Sequence, residues 1–467
     1  MGNEPRSAAK SSMPLIDSIT ESCPFYEQVV ALHINHDVAN SYRFSEAMTK
    51  CFGAVVMVGC AYQNSAREDR SCFRGTHLHA VCREDGCFNI VINEEPSAIV
   101  CPGFVESVDM MITIAITKFC LPLIRNGKRL VIIEDGGYHS SVIDNLVEAF
   151  PELEQHIAGS VEQTTSGSKI ISARESWRYP MISVSRSDIK MGFESIFIGQ
   201  RIVEELSNFL YTAESFLNFS PILIIGYGII GRSVAKSLMP YRCRIRVAEK
   251  DGNIRQTARR EGYPISSLLN PADYRENMII IGCVGEKTFG LTELEAYFAG
   301  DSNCIYLASA SSKDIEFRDI LKLLSGELRQ SDYRSELIES GEYFKRYNIS
   351  HGGKTKQICI IADGKPVNFC RKGGISLTDK VMDLVFSEML ICALALFRGE
   401  PLPNAVHVLG EEKSELILNE EELLKKWFAM NYAVMPAEPF PLLLDYHPDF
   451  DLLRKKIFEK NNINSLL

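Results

Sequence analysis

The chain has 467 residues, of which 46% are apolar and 24% charged, enough for two or three domains with substantial cores. Fifty Lys and Arg against 60 Asp and Glu give a formal net charge of −10. Such a surface repels phosphate backbones, and no local basic patch offsets it, so a nucleic-acid partner is not expected. The longest apolar stretch, 110–124, contains Lys118 and Pro122 and reads as too short to span a bilayer. No charged-then-apolar leader opens the chain, and position 6 is Arg where a myristoylation signal wants Ser or Thr. A cytoplasmic protein without a membrane partner is the expectation.

Residues 1–22 are polar and Ser-rich and read as a flexible leader. From Phe25 to about Glu194, compact apolar runs at 54–58 and 129–133 alternate with helical stretches, an α/β pattern. Within it, THLHAVC and CFNIVIN read as two strands around an Asp-Gly turn. His77, His79, Cys82 and Cys87 are the nearest approach to a metal signal. On a strand His77 and His79 share a face that Cys82 does not, so four ligands do not converge easily and no metal is expected. The fourteen cysteines include no CxxC and read as reduced thiols.

A helix is predicted over 199–216, with Ile202, Val203, Leu206, Phe209 and Leu210 on one stripe. A short buried strand follows at 221–225 and runs straight into Gly226-Tyr-Gly228-Ile-Ile-Gly231. A helix continues to Leu238, and a second strand ends at Glu249, 23 residues after Gly226. This is the dinucleotide-binding arrangement. The first glycine permits the tight turn, the second lets a pyrophosphate approach the backbone, and the third lets the helix pack close, with its amides facing the phosphates. Glu249 would accept from ribose hydroxyls and disfavour a 2′-phosphate, which points to NAD. Strands at 278–281 and 304–307 extend the same sheet.

Around this motif the chain resembles the adenosylhomocysteinase family. GYGIIGRSVAKSL, RVAEKD and REGYPI match the rhythm of its NAD domain. VEQTTSG at 161–167, PMISVSRSDIKMGFES at 180–195, LHINHD at 32–37, EDGG at 134–137 and GKPVN at 364–368 match in order, over about 25–410. The resemblance implies a Rossmann-type doubly wound NAD-binding domain (205–372) inserted into a second α/β substrate domain (23–204 and 373–410), followed by a divergent tail (411–467). It also implies a site in the cleft between the domains, a nucleoside-like ligand and a homo-oligomer.

In that family NAD oxidises the ribose 3′-hydroxyl, the ketone acidifies the C4′ proton, the 5′ thioether leaves, water adds, and the ketone is reduced again. By resemblance, Lys190 helps to deprotonate the 3′-hydroxyl, with Glu194 beside it in the catalytic set, and His33 and Asp135 transfer protons near C4′ and C5′. Asn35, Asp37 and Gln163 bind substrate. Thr164, Thr165, Ser166, Ser195 and Asn368 hold the nicotinamide half of NAD, while Gly226, Gly228, Gly231 and Glu249 hold the adenosine half.

Departures from the family pattern are informative. Its diol-gripping carboxylate is Gln163, the aspartate beside the lysine is Glu194, and two asparagines are Ser185 and Ser195. Two histidines align with Ser312 and Ile375, with His351 the nearby candidate for a replacement, and the family's terminal Lys…Tyr-Arg-Tyr is not matched by KKIFEKNNINSLL. Three readings stay open. The first is an enzyme that oxidises a sugar hydroxyl of another ribosyl compound, with or without 5′ elimination and hydrolysis. The second is a non-catalytic NAD-binding paralogue, with an acidic helix after Glu411 offering Leu416, Ile417, Leu423, Leu424 and Trp427 to a partner or to its own domain. The third is a genuine adenosylhomocysteinase.

Overall fold

The computed structural model describes residues 12–60, 70, 72–83, 87–311, 315–328, 332–371, 376–398, 401–410 and 417–432. The chain divides into two compact units, one formed by 1–194 and 377–467, the other by 195–376. Both are α/β.

The first unit is built on β1 (Tyr26–His36), β2 (Phe52–Cys60), β3 (Thr76–Cys82), β4 (Phe88–Ile92), β5 (Glu95–Cys101), β6 (Arg129–Glu134), β7 (Ile157–Glu162) and β8 (Met181–Ser183), with Val406–Val408 at one edge. The spatial order is Val406–Val408, β8, β7, β6, β1, β2, β3, β4, β5. All neighbours are parallel except β3 with β4 and β4 with β5. Alternation decides the faces. Leu32, Ile34, Val56, Val58, Leu130 and Ile132 point into one core, shared with the helical run Phe104–Arg125 and the helix His139–Ala149. His33 faces the other way, against Phe44 and Phe386. Strands buried on both faces read as the near-continuous apolar runs of a parallel sheet.

The apolar run is longer than the sequence suggests. A π-helical turn, Ala115–Cys120, joins its two α-helical parts into a 22-residue run, by length and composition enough to cross a membrane. Its Val108, Met111, Ile112, Ala115, Ile116 and Cys120 are instead fully buried in the sheet core, which accounts for the composition.

The segment read as a leader contains a helix, Pro14–Ser22, which buries Leu15 and Ile16. The Asp383 carboxylate on the helix Asp379–Ala395 accepts from the Leu15 and Ile16 amides at 3.1 and 3.0 Å, satisfying donors that the helix start leaves open. The last helix among the described residues is Glu420–Asn431. Its Leu423, Leu424 and Trp427 are buried, with Trp427 edge-on to Phe193 and its Nε1 donating to Lys380 O at 2.9 Å. Leu416 lies outside the described residues.

The second unit contains β9 (Pro221–Ile225), β10 (Arg244–Ala248), β11 (Met278–Gly282), β12 (Cys304–Ser309), β13 (Tyr333–Ser340), β14 (Phe344–His351) and β15 (Lys354–Ile361). Their order is β10, β9, β11, β12, β15, β14, β13, parallel through β15 and antiparallel beyond it. Ile222, Ile224, Ile279 and Ile281 pack toward the helices Ser195–Thr212 and Ile229–Ser237. Leu223, Ile225, Ile280 and Leu307 face the helices Leu291–Ala299 and Arg318–Leu324. The helix predicted from residue 199 starts at Ser195, directly after a π-helical turn, Ile189–Glu194.

Candidate functional site

Among the parallel strands of each sheet the order reverses once, and ligands of such folds bind beyond the carboxyl ends of the strands at that point. In the second unit the reversal lies between β9 and β11. There the three glycines meet three separate demands. Gly226 has φ +87°, and a Cβ on it would lie 2.6 Å from Val284 Cγ2. A Cβ on Gly231 would lie 1.9 Å from Gly226 O, so the helix Ile229–Ser237 can start this close only with glycine there. A Cβ on Gly228 would meet nothing within 4 Å: its missing side chain serves no protein contact and leaves open space over the turn. Glu249 closes the turn from β10, accepting from Tyr227 N at 2.7 Å and Asp251 N at 2.9 Å. Each carboxylate oxygen keeps lone-pair capacity beyond those bonds.

Glu316 does the same service for the loop after β11. It accepts from Val284 N at 2.7 Å, Gly285 N at 3.2 Å and Ser309 Oγ at 2.6 Å, and burial raises its carboxyl above the usual range. Asn368 is buried, donates through Nδ2 to Ser376 Oγ at 2.9 Å, and leaves Oδ1 without a hydrogen-bond partner among the described residues. Ser195 is buried, and its carbonyl accepts from Ser233 Oγ at 2.8 Å.

In the first unit the reversal lies between β1 and β6, and the EDGG and VEQTTSG segments meet there. Glu162, at the end of β7, is buried and accepts from Gly136 N at 3.1 Å, Gly137 N at 2.9 Å, and Thr164 N and Oγ1 at 2.6 Å each. Gly136 and Gly137 have φ +113° and +70°, so the Asp135-Gly-Gly segment is a turn wrapped on this carboxylate. Burial, then the charge of Glu134, pushes Glu162 well above the carboxylate range, and the Thr164 bonds oppose that. Thr164 caps the helix Thr165–Ser172 by accepting from Gly167 N at 3.0 Å. Thr165 is exposed and Ser166 half-buried. Glu134 is itself buried and ion-paired with His139, whose Nε2 meets Tyr179 Oη at 2.9 Å.

Asn35, Asp135 and Gln163 stand one residue beyond the register row Ile34, Glu134, Glu162. Asn35 Nδ2 donates to Gln163 Oε1 at 3.4 Å, and Asp135 Oδ2 lies 3.6 Å from His36 Nε2. His33 is fully buried. Its Nδ1 is 2.8 Å from Ser45 Oγ, and its Nε2 has no hydrogen-bond partner among the described residues. Burial lowers its pKa to about 3, so the ring is neutral. Asp37 is buried and engaged by protein groups. It pairs with Arg70 through bonds of 2.9 and 2.5 Å and accepts from Tyr42 Oη at 2.8 Å.

Lys190 forms a nearly buried ion pair with Glu194, one turn on. Beside them Glu388 is fully buried, and burial and the charge of Glu420 push its carboxyl well up, while Ser187 and Lys190 pull it down. Ser185 Oγ lies 3.0 Å from Ser183 Oγ. Ser312 and Ile375 lie outside the described residues, and His351 stacks on Tyr333 in the β13–β14 pair.

The sequence analysis missed Glu134, His139, Glu162, Glu316 and Glu388. Glu134 and Glu162 lie within the quoted EDGG and VEQTTSG segments and were legible there; Glu388 carries no local signal.

No family model matches the chain. It is 24% identical over 319 residues to adenosylhomocysteinase of Sulfolobus acidocaldarius, covering 64% of this chain and 70% of that protein. It is 26% identical over 273 residues to adenosylhomocysteinase of Thermoplasma acidophilum, covering 58% and 61%. The S-inosyl-L-homocysteine hydrolase of Methanopyrus kandleri is 22% identical over 318 residues, covering 64% and 70%. Among solved structures, the A chain of dipicolinate synthase from Bacillus subtilis aligns over 79% of this chain and 98% of its own at 10% identity, with a TM-score of 0.36.

Proposed function

We propose that this chain, a divergent relative of the adenosylhomocysteinases, is an NAD-dependent enzyme that oxidises a sugar hydroxyl of a nucleoside or related ribosyl compound. The observation that supports it most is the turn at 226–231, where two glycines are required by the protein itself and the third, Gly228, leaves open space that a bound pyrophosphate would use. Gly226, Gly228, Gly231 and Glu249 would hold the adenosine half of the dinucleotide, and the unpartnered Asn368 Oδ1 suits a carboxamide donor. Thr164, Thr165, Ser166 and Ser195 are assigned to the nicotinamide half on the family resemblance. Bound NAD supplies a hydride acceptor. The protein's part is to orient the sugar and move protons: His33 offers an unprotonated Nε2, Asp135 a strand-end carboxylate, and Lys190, held by Glu194, a positive charge or a proton acceptor.

Gln163 argues for a substrate other than adenosylhomocysteine, because an amide grips a vicinal diol less strongly than a carboxylate. Asp37, engaged by Arg70 and Tyr42, points the same way. A relative named for an inosyl compound fits a fold that tolerates changes of substrate. The non-catalytic alternative draws on the replaced histidines, the divergent tail and an apolar stripe on the helix Glu420–Asn431; of that stripe, Leu423, Leu424 and Trp427 are buried in their own unit, which leaves them unavailable to a partner. The reading carries with it a homo-oligomer in the cytoplasm with no nucleic-acid partner. It is tested by adding adenosine, adenosylhomocysteine and a nucleoside panel to the purified protein and following reduced-nicotinamide absorbance. A rise with one compound supports sugar oxidation; no rise with any of them, with NAD shown bound by mass spectrometry, overturns it.

A further inference from the structure

On β3, His77 and His79 project from the same face, with ring centroids 6.2 Å apart and planes 12° from parallel. The β4 and β5 strands are joined by the two residues Asn93 and Glu94, with φ 49° and 66°, the pattern of a type I′ hairpin turn. Two bonds lock that turn onto β3: Asn93 Oδ1 accepts from His77 N, and Asn93 N donates to His77 O, both at 2.9 Å. Glu94 is thereby carried over His77, with Oε1 3.0 Å from Nε2. Glutamate seldom adopts a positive φ, so the turn holds a carboxylate where asparagine or glycine would sit more easily.

The other nitrogen of His77, Nδ1, lies 3.3 Å from Gly75 O. A carbonyl only accepts, so Nδ1–H serves that contact, and Nε2 is left facing a carboxylate oxygen. A proton on the ring or a metal ion between them satisfies both atoms, and only a metal ion would also engage a second histidine. His79 is 3% exposed, and its Nδ1 is buried with no hydrogen-bond partner among the described residues. One ligand atom from each of His77, His79 and Glu94 lies within 4.8 Å of the other two.

We infer that His77, His79 and Glu94 bind a divalent metal ion of the zinc class, with its remaining position open to solvent. Two imidazoles and a carboxylate are a known zinc donor set, and a ligating histidine that donates its second N–H to a backbone carbonyl is the usual supporting contact. Arg70 is the opposing charge, with Nη1 3.9 Å from Glu94 Oε1. Its guanidinium is committed to Asp37, which Tyr42 also contacts, so the cation is already neutralised. Cys82 lies off the His77 and His79 face of β3, and Cys87 precedes β4; neither belongs to the cluster.

The test strips the full-length protein with a chelator, then titrates Zn²⁺ against a chromophoric competitor and Co²⁺ by visible absorption. The expected result is one site per chain, with four- or five-coordinate Co²⁺ bands, weakened by about tenfold or more in His79→Ala and in Glu94→Gln. His407→Ala, at the opposite edge of the sheet, should bind as the parent does. The Glu94 side chain is 58% exposed, so Glu94→Gln keeps the test decisive should His79→Ala fail to fold. Absence of such a site, or binding indifferent to Glu94→Gln, would overturn the inference and leave His77 and Glu94 as an ordinary hydrogen-bonded pair.

Discussion

A Cβ on Gly231 would stand 1.9 Å from the carbonyl oxygen of Gly226, whereas a Cβ on Gly228, between them in sequence, would touch nothing. The two positions therefore separate folding from binding. Gly231→Ala should push the helix Ile229–Ser237 off β9 and cost about 1–3 kcal/mol, read as a lower midpoint in denaturant melts. Gly228→Ala should fold with the parent's stability yet retain less NAD through purification, measured by mass spectrometry of the released cofactor. Equal retention by Gly228→Ala and the parent would remove the main support for a dinucleotide at this turn.

Legibility followed the range of the forces. The strand Pro221–Ile225 and the glycine turn were readable because their signals are local: a short apolar run, then residues chosen by backbone geometry. The start of the helix Ser195–Thr212 was not, because it continues a π-helical turn that leaves no capping residue to mark a boundary. The antiparallel extension by β13 and β14 also escaped, since β13 is exposed over most of its length and lacks the apolar alternation of a half-buried strand. Within the site, the pairing of Asp37 with Arg70 was not legible, because Arg70, 33 residues away, gives no sequence sign of reaching it. Glu388 is set beside Lys190 only by the tertiary fold.

Glu162 ties the EDGG turn to the VEQTTSG segment through four donors. Glu162→Gln keeps the shape but must turn an NH₂ group toward at least one backbone N–H. That leaves a buried donor unmatched, at a cost of about 1–3 kcal/mol. Urea denaturation should show this loss, while Thr165→Ala, at an exposed position, should lie within about 0.5 kcal/mol of the parent. Parent-like stability in Glu162→Gln would mean that the turn is held by other contacts.

His33 makes the fold acid-sensitive. Its folded pKa of about 3 lies below the ordinary 6.5, so between those values the unfolded chain binds a proton that the native ring refuses. Stability from this group is present in full above pH 6.5 and falls on acidification toward pH 3, by at most about 1.4 kcal/mol per pH unit. Melting temperatures across pH 4–7 should decline less steeply in His33→Leu than in the parent. Identical slopes would show that other groups set the acid limb.

Lys190 and Glu194 form a nearly buried pair beside the buried Glu388, so the two members should respond unequally to substitution. Lys190→Ala strands a carboxylate next to another acid, and about 3–5 kcal/mol of stability should go with it. Lys190→Met retains the apolar stem, so paired with Glu194→Gln it removes both charges and should recover most of that loss. If Lys190 moves a proton in sugar oxidation, this folded double variant should still bind NAD while turnover on the substrate found by the nucleoside screen falls by about two to four orders of magnitude. Loss of NAD together with turnover would instead make the pair a positioning element. Unchanged turnover would take Lys190 out of the chemistry altogether.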